Sequence, residues 1–108
     1  MSKDVLHRLA ATIRSRRTAR PEDSHTRRLL DEAPIKPAKK VGEEGVEVAI
    51  AAVAQDKDAL ISETADLLYH LLVVLESRHI TLEDVFGELE RRMNATALNQ
   101  DRRKAASR

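Results

Sequence analysis

The sequence predicts an all-α protein, and its composition and patterning both support this. Aromatic residues make up only 2% of the 108 residues, so the core must be built from Leu, Val, Ile and Ala, which favours helices. Apolar residues recur at helical spacing, and no segment shows the alternation typical of a strand. Hydrophobic residues contribute 42% and charged residues 34%, as in ordinary globular proteins. We therefore expect one small domain of about five helices.

The first two helices are predicted near the N-terminus. Residues 5–17 form a short amphipathic pattern, which Pro21 interrupts because proline disfavours helical conformation in the residue before it. A brief second helix is predicted over residues 25–32, with Ser24 or Asp23 as its N-cap.

The third and fourth helices are the longest and are predicted to pair. Residues 33–37 contain two prolines and predict an extended linker, after which the third helix runs over residues 37–54. Asp56 is the predicted N-cap of the fourth helix, over residues 57–78. So short a connection brings the fourth helix back antiparallel to the third.

The last helix has its own start signal. Thr81 and Asp84 have the spacing of a capping box, which opens a helix over residues 82–94. The domain is therefore predicted to span residues 1–94, followed by a polar, basic and frayed tail over residues 95–108.

The fourth helix is apolar on nearly every side, and a helix of this kind is buried on every side. A domain with so few helices cannot cover it alone. We therefore expect a homo-oligomer, at least a dimer, in which the two antiparallel core helices form a four-helix bundle with those of a partner subunit. The apolar residues are Leu60, Ile61, Leu67, Leu68, Leu71, Leu72, Val73, Val74 and Leu75.

Composition also excludes several classes of protein. The formal net charge of +1 gives no basis for nucleic-acid binding through bulk electrostatics. The absence of cysteine excludes disulfides, zinc–thiolate sites and thiol catalysis. No segment approaches the roughly 20 apolar residues of a membrane span, and the N-terminus lacks the apolar core of a secretory signal. The expected location is the cytoplasm.

Two acidic motifs interrupt the apolar pair of helices. Glu44 and Glu47 are three residues apart on the third helix, with Glu43 beside them, and Glu63 and Asp66 are three apart on the fourth. Residues at this spacing share one helix face. Carboxylates that face each other repel, and a hard divalent cation such as Mg²⁺, Mn²⁺ or Ca²⁺ would offset that repulsion. The spacing therefore predicts a metal site between the two helices.

The residues around the acidic motifs suit a phosphate-bearing substrate. Lys36, Lys39 and Lys40 lie within about two turns of the glutamates and could offset phosphate charge. Glu43 is the candidate general base, because it sits beside the E-x-x-E pair without belonging to it. His70 lies on the stripe of Glu63 and Asp66 and is a candidate substrate contact.

Each of these residues also has a simpler interpretation. A charged run such as EEGVE is most often a solvated helix face, and lysines often pair with glutamates four residues away. A lone histidine like His70 is more often a hydrogen-bonded core residue than a ligand. Glu76 and His79 form an E-x-x-H motif of the kind found in di-iron bundles, but that architecture needs two such motifs and only one is present.

The acidic motifs and their flanks resemble a known family. E-x-x-E, an interval of fifteen residues and E-x-x-D are similar to the signature of the all-α nucleoside triphosphate pyrophosphohydrolases, the MazG-like superfamily. Within it, KKVGEEGVEVAIAA and ADLLYHLLVVL closely resemble the phosphoribosyl-ATP pyrophosphatases of histidine biosynthesis. The resemblance covers about residues 5–92.

The resemblance implies a reaction and a ligand set. The expected reaction is hydrolysis of phosphoribosyl-ATP between its α and β phosphates, giving phosphoribosyl-AMP and pyrophosphate. The resemblance implies Mg²⁺ held by Glu44, Glu47, Glu63 and Asp66, and an oligomer of helical subunits. It also suggests Ser24 and Thr26 as substrate contacts.

Four positions depart from the usual pattern of that family, and none is a motif carboxylate. His25 stands where tyrosine is common, Ala33 where glycine is expected, Pro37 where a bulky aliphatic residue is common, and Gly45 where alanine is usual. These departures bear on the segment around residues 30–39 and its part in substrate binding rather than on the metal chemistry.

Three alternatives remain open from the residues alone. A house-cleaning hydrolase of free or damaged nucleotides, from the same superfamily, would share the acidic motif. A non-catalytic helical dimerisation module would have merely solvated acidic faces. A di-iron bundle would bind iron.

Overall fold

The computed structural model describes residues 5–95, and within that range the protein consists of five α-helices with no strand. Short 3₁₀ segments at Arg16–Thr18 and Pro21–Asp23 join the first two helices. The all-α prediction is confirmed, while the predicted frayed tail lies outside the described residues beyond Ala95. The helices are α1 (Val5–Ser15), α2 (His25–Asp31), α3 (Ile35–Ala54), α4 (Lys57–Ser77) and α5 (Leu82–Asn94).

Local capping signals fix three helix starts where the sequence predicts them. The Ser24 hydroxyl accepts a hydrogen bond from the Arg27 amide at 3.0 Å and begins α2. The Asp56 carboxylate accepts from the Ala59 amide at 2.9 Å and begins α4. Thr81 and Asp84 form the complete reciprocal capping box that opens α5.

The expected extended linker over residues 33–37 is wrong. The chain turns directly from α2 into α3, because the Lys36 amide donates to the Glu32 carbonyl and α3 begins at Ile35. Pro37 therefore lies in the first turn of α3, where a missing amide hydrogen costs nothing because that amide would have no intrahelical partner. Its ring is buried. Helix α3 thus begins at Ile35, two residues before the predicted start at residue 37.

Helices α3 and α4 form an antiparallel hairpin. Only Gln55 and Asp56 separate them, and they share the most extensive helix–helix interface of the described residues. The hairpin orientation follows because a two-residue connection leaves no room for the chain to return before starting a parallel helix. The contacts across the pair include one between Glu44 of α3 and His70 of α4.

The hydrophobic core is small and lies at one end of this hairpin. It joins α1 and α2 to the C-terminal half of α4, with Leu82 of α5 at its edge. Leu6, Leu9, Ala10, Leu30, Tyr69 and Leu75 pack around its buried members, which are Ile13, Leu29, Leu72, Val73 and Leu82. The other end of the α3–α4 pair receives no cover from the described residues.

One carboxylate belongs to this core end. Glu76 is buried and accepts hydrogen bonds from Arg14 Nε at 3.3 Å and Arg17 Nε at 2.6 Å, while Arg17 Nη2 also donates to the Glu76 backbone carbonyl at 2.5 Å. These contacts tie α1 and the following 3₁₀ segment to the end of α4. His79 is exposed and has a positive φ of 59°, and α4 closes with two backbone hydrogen bonds, from the His79 amide to the Glu76 carbonyl and from the Ile80 amide to the Leu75 carbonyl. The E-x-x-H motif is therefore a helix end with an arginine-paired glutamate.

The α3 glycines do not mark close packing within the chain. A Cβ atom added at Gly42 or Gly45 would meet nothing within 4 Å. Helical glycines costing about 1 kcal/mol each relative to alanine are thus unexplained by contacts among the described residues.

None of the helices in residues 5–95 has the length and apolar character needed to cross a membrane.

Candidate active site

The two acidic motifs meet across the α3–α4 pair. Glu63 of α4 lies near Glu47 of α3, and Glu44 and Asp66 also act on it electrostatically. Further along, His70 of α4 contacts Glu44 of α3. Residue numbers rise on α4 as they fall on α3, as an antiparallel pair requires. The four motif carboxylates are therefore neighbours across the α3–α4 pair, and their role as metal ligands stays a prediction.

The pKa of Glu63 reflects the proximity of the other carboxylates. Partial desolvation raises the pKa of Glu63 above its usual value, and the adjacent charges of Glu47, Asp66 and Glu44 raise it further. Among the described residues, no lysine or arginine forms an ion pair with any of these four carboxylates. A cluster of this kind carries negative charge that the folded chain itself leaves uncompensated.

Glu44 is held by His70. The Nδ1 atom of His70 lies 2.7 Å from Oε1 of Glu44 and 3.1 Å from the Asp66 backbone carbonyl oxygen. His70 is only 8% exposed, and the Glu44 side chain is 12% exposed. The remaining ring nitrogen of His70, Nε2, is buried and makes no hydrogen bond to the described residues.

The donor set suits a hard cation by chemistry. Four carboxylates on two facing helices supply the oxygen ligands that Mg²⁺ prefers. As the side chains stand, residues 5–95 contain no group of three or more His, Asp or Glu donors already arranged around a common metal position. Glu44 is turned toward His70, whereas Glu47 and Asp66 are exposed and free of ion pairs with other described residues. Rotation of exposed side chains is thus required to gather the donors.

The predicted substrate contacts are distributed around the cluster. Lys39 is exposed and Lys40 partly buried, while Lys36 forms an ion pair with Glu32 at 3.2 Å. Of the two hydroxyl residues, Ser24 caps α2 through its side chain, and the Thr26 hydroxyl shares a hydrogen bond with the Tyr69 hydroxyl. Glu43, the candidate base, is exposed beside Glu44.

A cavity between α2 and the start of α3 brings residues that the sequence reasoning missed beside the predicted contact Lys36. It has a volume of about 330 Å³ and is lined by His25, Arg28, Leu29, Asp31, Glu32 and Lys36. Partial desolvation of its ring holds the pKa of His25 below its usual value, and coulombic interactions with Arg28, His70, Lys36 and Lys40 act in the same direction. His25 therefore lines the cavity and also lies close enough to His70, beside the carboxylate cluster, to interact with it electrostatically. Only the departure of His25 from the family pattern pointed to this position.

Together, an antiparallel helical pair and four carboxylates across it without a lysine or arginine partner among the described residues define the class: an all-α protein with an acidic centre of the kind used in nucleotide pyrophosphohydrolases. Comparison with known proteins identifies the family. Residues 6–93 match the model of the phosphoribosyl-ATP pyrophosphohydrolase family, and the chain belongs to that family.

Individual relatives agree over nearly the whole chain. A phosphoribosyl-ATP pyrophosphatase of Methylobacterium nodulans is 53% identical over 98 residues, covering 91% of this chain and 92% of the relative. The protein of the same name from Paracoccus denitrificans is 53% identical over 95 residues, covering 88% of each chain. That of Agrobacterium fabrum is 51% identical over 98 residues, covering 91% of this chain and 92% of its own length. The predicted family is confirmed.

Proposed function

We propose that this protein hydrolyses phosphoribosyl-ATP to phosphoribosyl-AMP and pyrophosphate in histidine biosynthesis. The observation that carries the proposal is that the family match over residues 6–93 includes both acidic motifs, which α3 and α4 bring face to face. The relatives that share about half of this sequence are all named for that activity. The di-iron alternative has no support at Glu76, because the carboxylate of Glu76 accepts hydrogen bonds from Arg14 and Arg17.

The four motif carboxylates are the residues that would hold Mg²⁺, namely Glu44, Glu47, Glu63 and Asp66. Support comes from the donor type and from the raised pKa of Glu63, because a cation placed among these groups would relieve their mutual repulsion. A bound Mg²⁺ would supply positive charge to the phosphate oxygens of the scissile anhydride and help to orient water.

The remaining residues act on proton transfer and binding. Glu43 is the proposed general base: its exposed carboxylate beside the cluster accepts a proton from the attacking water. Lys39 and Lys40 offset phosphate charge from the same stretch of α3. Lys36, together with Arg28, lines the cavity between α2 and α3 and is suited to the phosphoribosyl end of the substrate. Ser24, Thr26 and His70 remain predicted substrate contacts.

We also propose that the protein assembles with a second copy of itself through the uncovered side of the α3–α4 pair. Val46, Ile50 and Val53 of α3 are exposed, and Val53 is 89% exposed. Ala49 and Ala54 complete an apolar hollow around them. On α4, Ile61, Leu68 and Leu71 are exposed as well. An exposed apolar hollow such as the one on α3 is typical of an interface.

The overall shape supports a second copy as the occupant. The radius of gyration is 16.3 Å, compared with about 13 Å for a compact domain of roughly 100 residues. An elongated helical pair with a core at only one end can complete a four-helix bundle with an identical pair. Light scattering of the wild type should give at least a dimer. Val53→Glu should shift it toward monomer, whereas Lys57→Glu, an exposed polar control near the same turn, should not.

The enzymatic proposal is tested by pyrophosphate release from phosphoribosyl-ATP, measured beside ATP and dCTP, with Mg²⁺ and with chelator. The expected result is release from phosphoribosyl-ATP alone, abolished by chelator. Release from ATP and dCTP instead would assign the protein to the house-cleaning branch. No release from any of the three, by folded protein, would favour the non-catalytic module.

A further inference from the structure

His70 is the only buried residue in the described chain that joins the acidic cluster while belonging to neither acidic motif. Its ring nitrogen Nδ1 faces two acceptors, the Glu44 carboxylate oxygen Oε1 at 2.7 Å and the Asp66 carbonyl oxygen at 3.1 Å. Because neither neighbour is an N–H or O–H donor, Nδ1 must carry the hydrogen. His70 therefore donates to Glu44.

The orientation of the His70 ring is fixed by its surroundings. The carbonyl of Asp66, one turn earlier on α4, anchors Nδ1 from the same helix. The Tyr69 ring meets the His70 ring edge-on, with centroids 4.9 Å apart and an interplanar angle of 77°. His70 is only 8% exposed, which limits competition from water for its hydrogen bonds. A donor held this rigidly can hold its acceptor in turn.

Glu44 needs a hydrogen-bond donor of this kind to stay inside the cluster. It shares the cluster with Glu47, Glu63 and Asp66, and repulsion from three like charges would drive a flexible glutamate side chain toward solvent. Instead the Glu44 side chain is only 12% exposed. Its Oε1 is taken by His70, and its Oε2 makes no hydrogen bond to residues 5–95.

We propose that His70 is a positioning residue for the metal centre: by donating Nδ1–H to Oε1, it keeps Glu44 inside the cluster and leaves Oε2 for the divalent cation. This inference rests on the proposed function, since it concerns the same site. Hydrogen-bond partners of metal-ligating side chains commonly fix ligand orientation, and losing one costs about 10–100-fold in metal affinity or activity.

Two amide substitutions test which nitrogen matters. The side-chain amide of asparagine occupies the place of Nδ1, whereas that of glutamine reaches the place of Nε2. Measured by calorimetry with Mn²⁺ on the folded protein, His70→Asn should bind within about threefold of wild type. His70→Gln and His70→Ala should bind about 10–100-fold more weakly. In the Mg²⁺-dependent assay the same two variants should lose kcat, with the same order among variants.

A matched control separates positioning from stability. Tyr69→Phe removes the hydroxyl that bonds Thr26 while keeping the ring beside His70. It should lower the melting temperature of the metal-free protein and leave the Mn²⁺ Kd within about twofold of wild type. A double-mutant cycle adds a second check: in a Glu44→Gln background, His70→Ala should cause little further loss of Mn²⁺ affinity, because its acceptor is no longer a ligating carboxylate.

The inference is overturned if His70→Ala binds Mn²⁺ like the wild type, or if the Asn and Gln variants weaken binding equally. Failure of the proposed function looks different: in that case the wild type itself neither binds Mn²⁺ nor releases pyrophosphate from phosphoribosyl-ATP.

Discussion

Helix α4 carries a buried or partly buried glutamate in each of its halves, and the two glutamates have opposite electrostatic surroundings. Glu76, near the C-terminal end, is enclosed by Arg14 and Arg17, so its charge is fully offset within the chain. Glu63, in the N-terminal half, faces Glu47, and Asp66 and Glu44 add to the negative charge. A chain that can place two arginines around one carboxylate leaves four others facing each other.

The difference assigns separate roles to the two regions. The Glu76 cluster joins α1 to α4 and contributes to folding. The cluster of Glu44, Glu47, Glu63 and Asp66 costs folding free energy through repulsion, and a cost of this kind is typical of sites built for a ligand rather than for stability. Substitutions at the two regions should therefore have opposite consequences.

The largest effect is expected at the unpaired cluster. Glu47→Gln keeps the shape of the side chain but removes one charge that Mg²⁺ would bind. Pyrophosphate release from phosphoribosyl-ATP should fall about 10²–10⁴-fold, because the cation supplies several kcal/mol of charge stabilisation. The melting temperature in chelator should stay the same or rise, since one repulsive charge is gone. Wild-type activity in this variant would contradict the assignment.

The opposite pattern is expected at the arginine-paired cluster. Glu76→Gln sets an amide N–H group against the arginine donors and should reduce the free energy of unfolding by about 1–3 kcal/mol. Urea denaturation at neutral pH measures this. Activity per folded molecule should change little, because Glu76 does not touch the acidic cluster. A stability loss at Glu47 with none at Glu76 would reverse the comparison.

A smaller effect should appear in the pH dependence of stability without metal. Because the pKa of Glu63 is raised on folding, the folded state binds its proton more tightly than the unfolded state does. Stability from this group is present below its ordinary pKa and is lost as pH rises through the raised value. The advantage of Glu63→Gln over the wild type, measured by urea denaturation in chelator, should therefore grow as pH rises from 4 toward neutrality.

Glu88 supplies the control of opposite sign. Hydrogen bonds from Arg91 and Arg92 lower its pKa to about 2. Its contribution is present above the ordinary pKa and is lost as pH falls toward 2, so Glu88→Gln should be least stable relative to wild type at neutral pH. Parallel pH profiles for the two variants would argue against the charge arrangement described for Glu63.

The contrast also shows what the sequence could and could not predict. Helix starts at Ser24, Asp56 and Thr81 were predictable because each depends on a hydrogen bond spanning three residues. The facing of the two acidic motifs was predictable because one short turn and helical spacing determine it. The resemblance of the flanking blocks predicted the family.

Contacts distant in sequence were not predictable. The helical pattern of residues 5–17 gives no sign that Arg14 and Arg17 pair with Glu76, about sixty positions away. The approach of His25 to Lys40 and His70 likewise depends on how α2 packs beside the hairpin. The prolines of residues 33–37 misled because proline is accepted equally by a linker and by the first turn of a helix.

The most direct test of the comparison is the melting temperature with and without Mg²⁺ for the wild type, Glu47→Gln and Glu76→Gln. A cation bound only by the folded state stabilises it by mass action, by about 1.4 kcal/mol at ten times its Kd. In a domain of this size, each kcal/mol of stabilisation raises the melting temperature by roughly 4–8 °C. The account predicts the same Mg²⁺-dependent rise in the wild type and in Glu76→Gln, from a lower starting point in the latter, and little or no rise in Glu47→Gln. An equal rise in all three proteins, or none in the wild type at millimolar Mg²⁺, would contradict it.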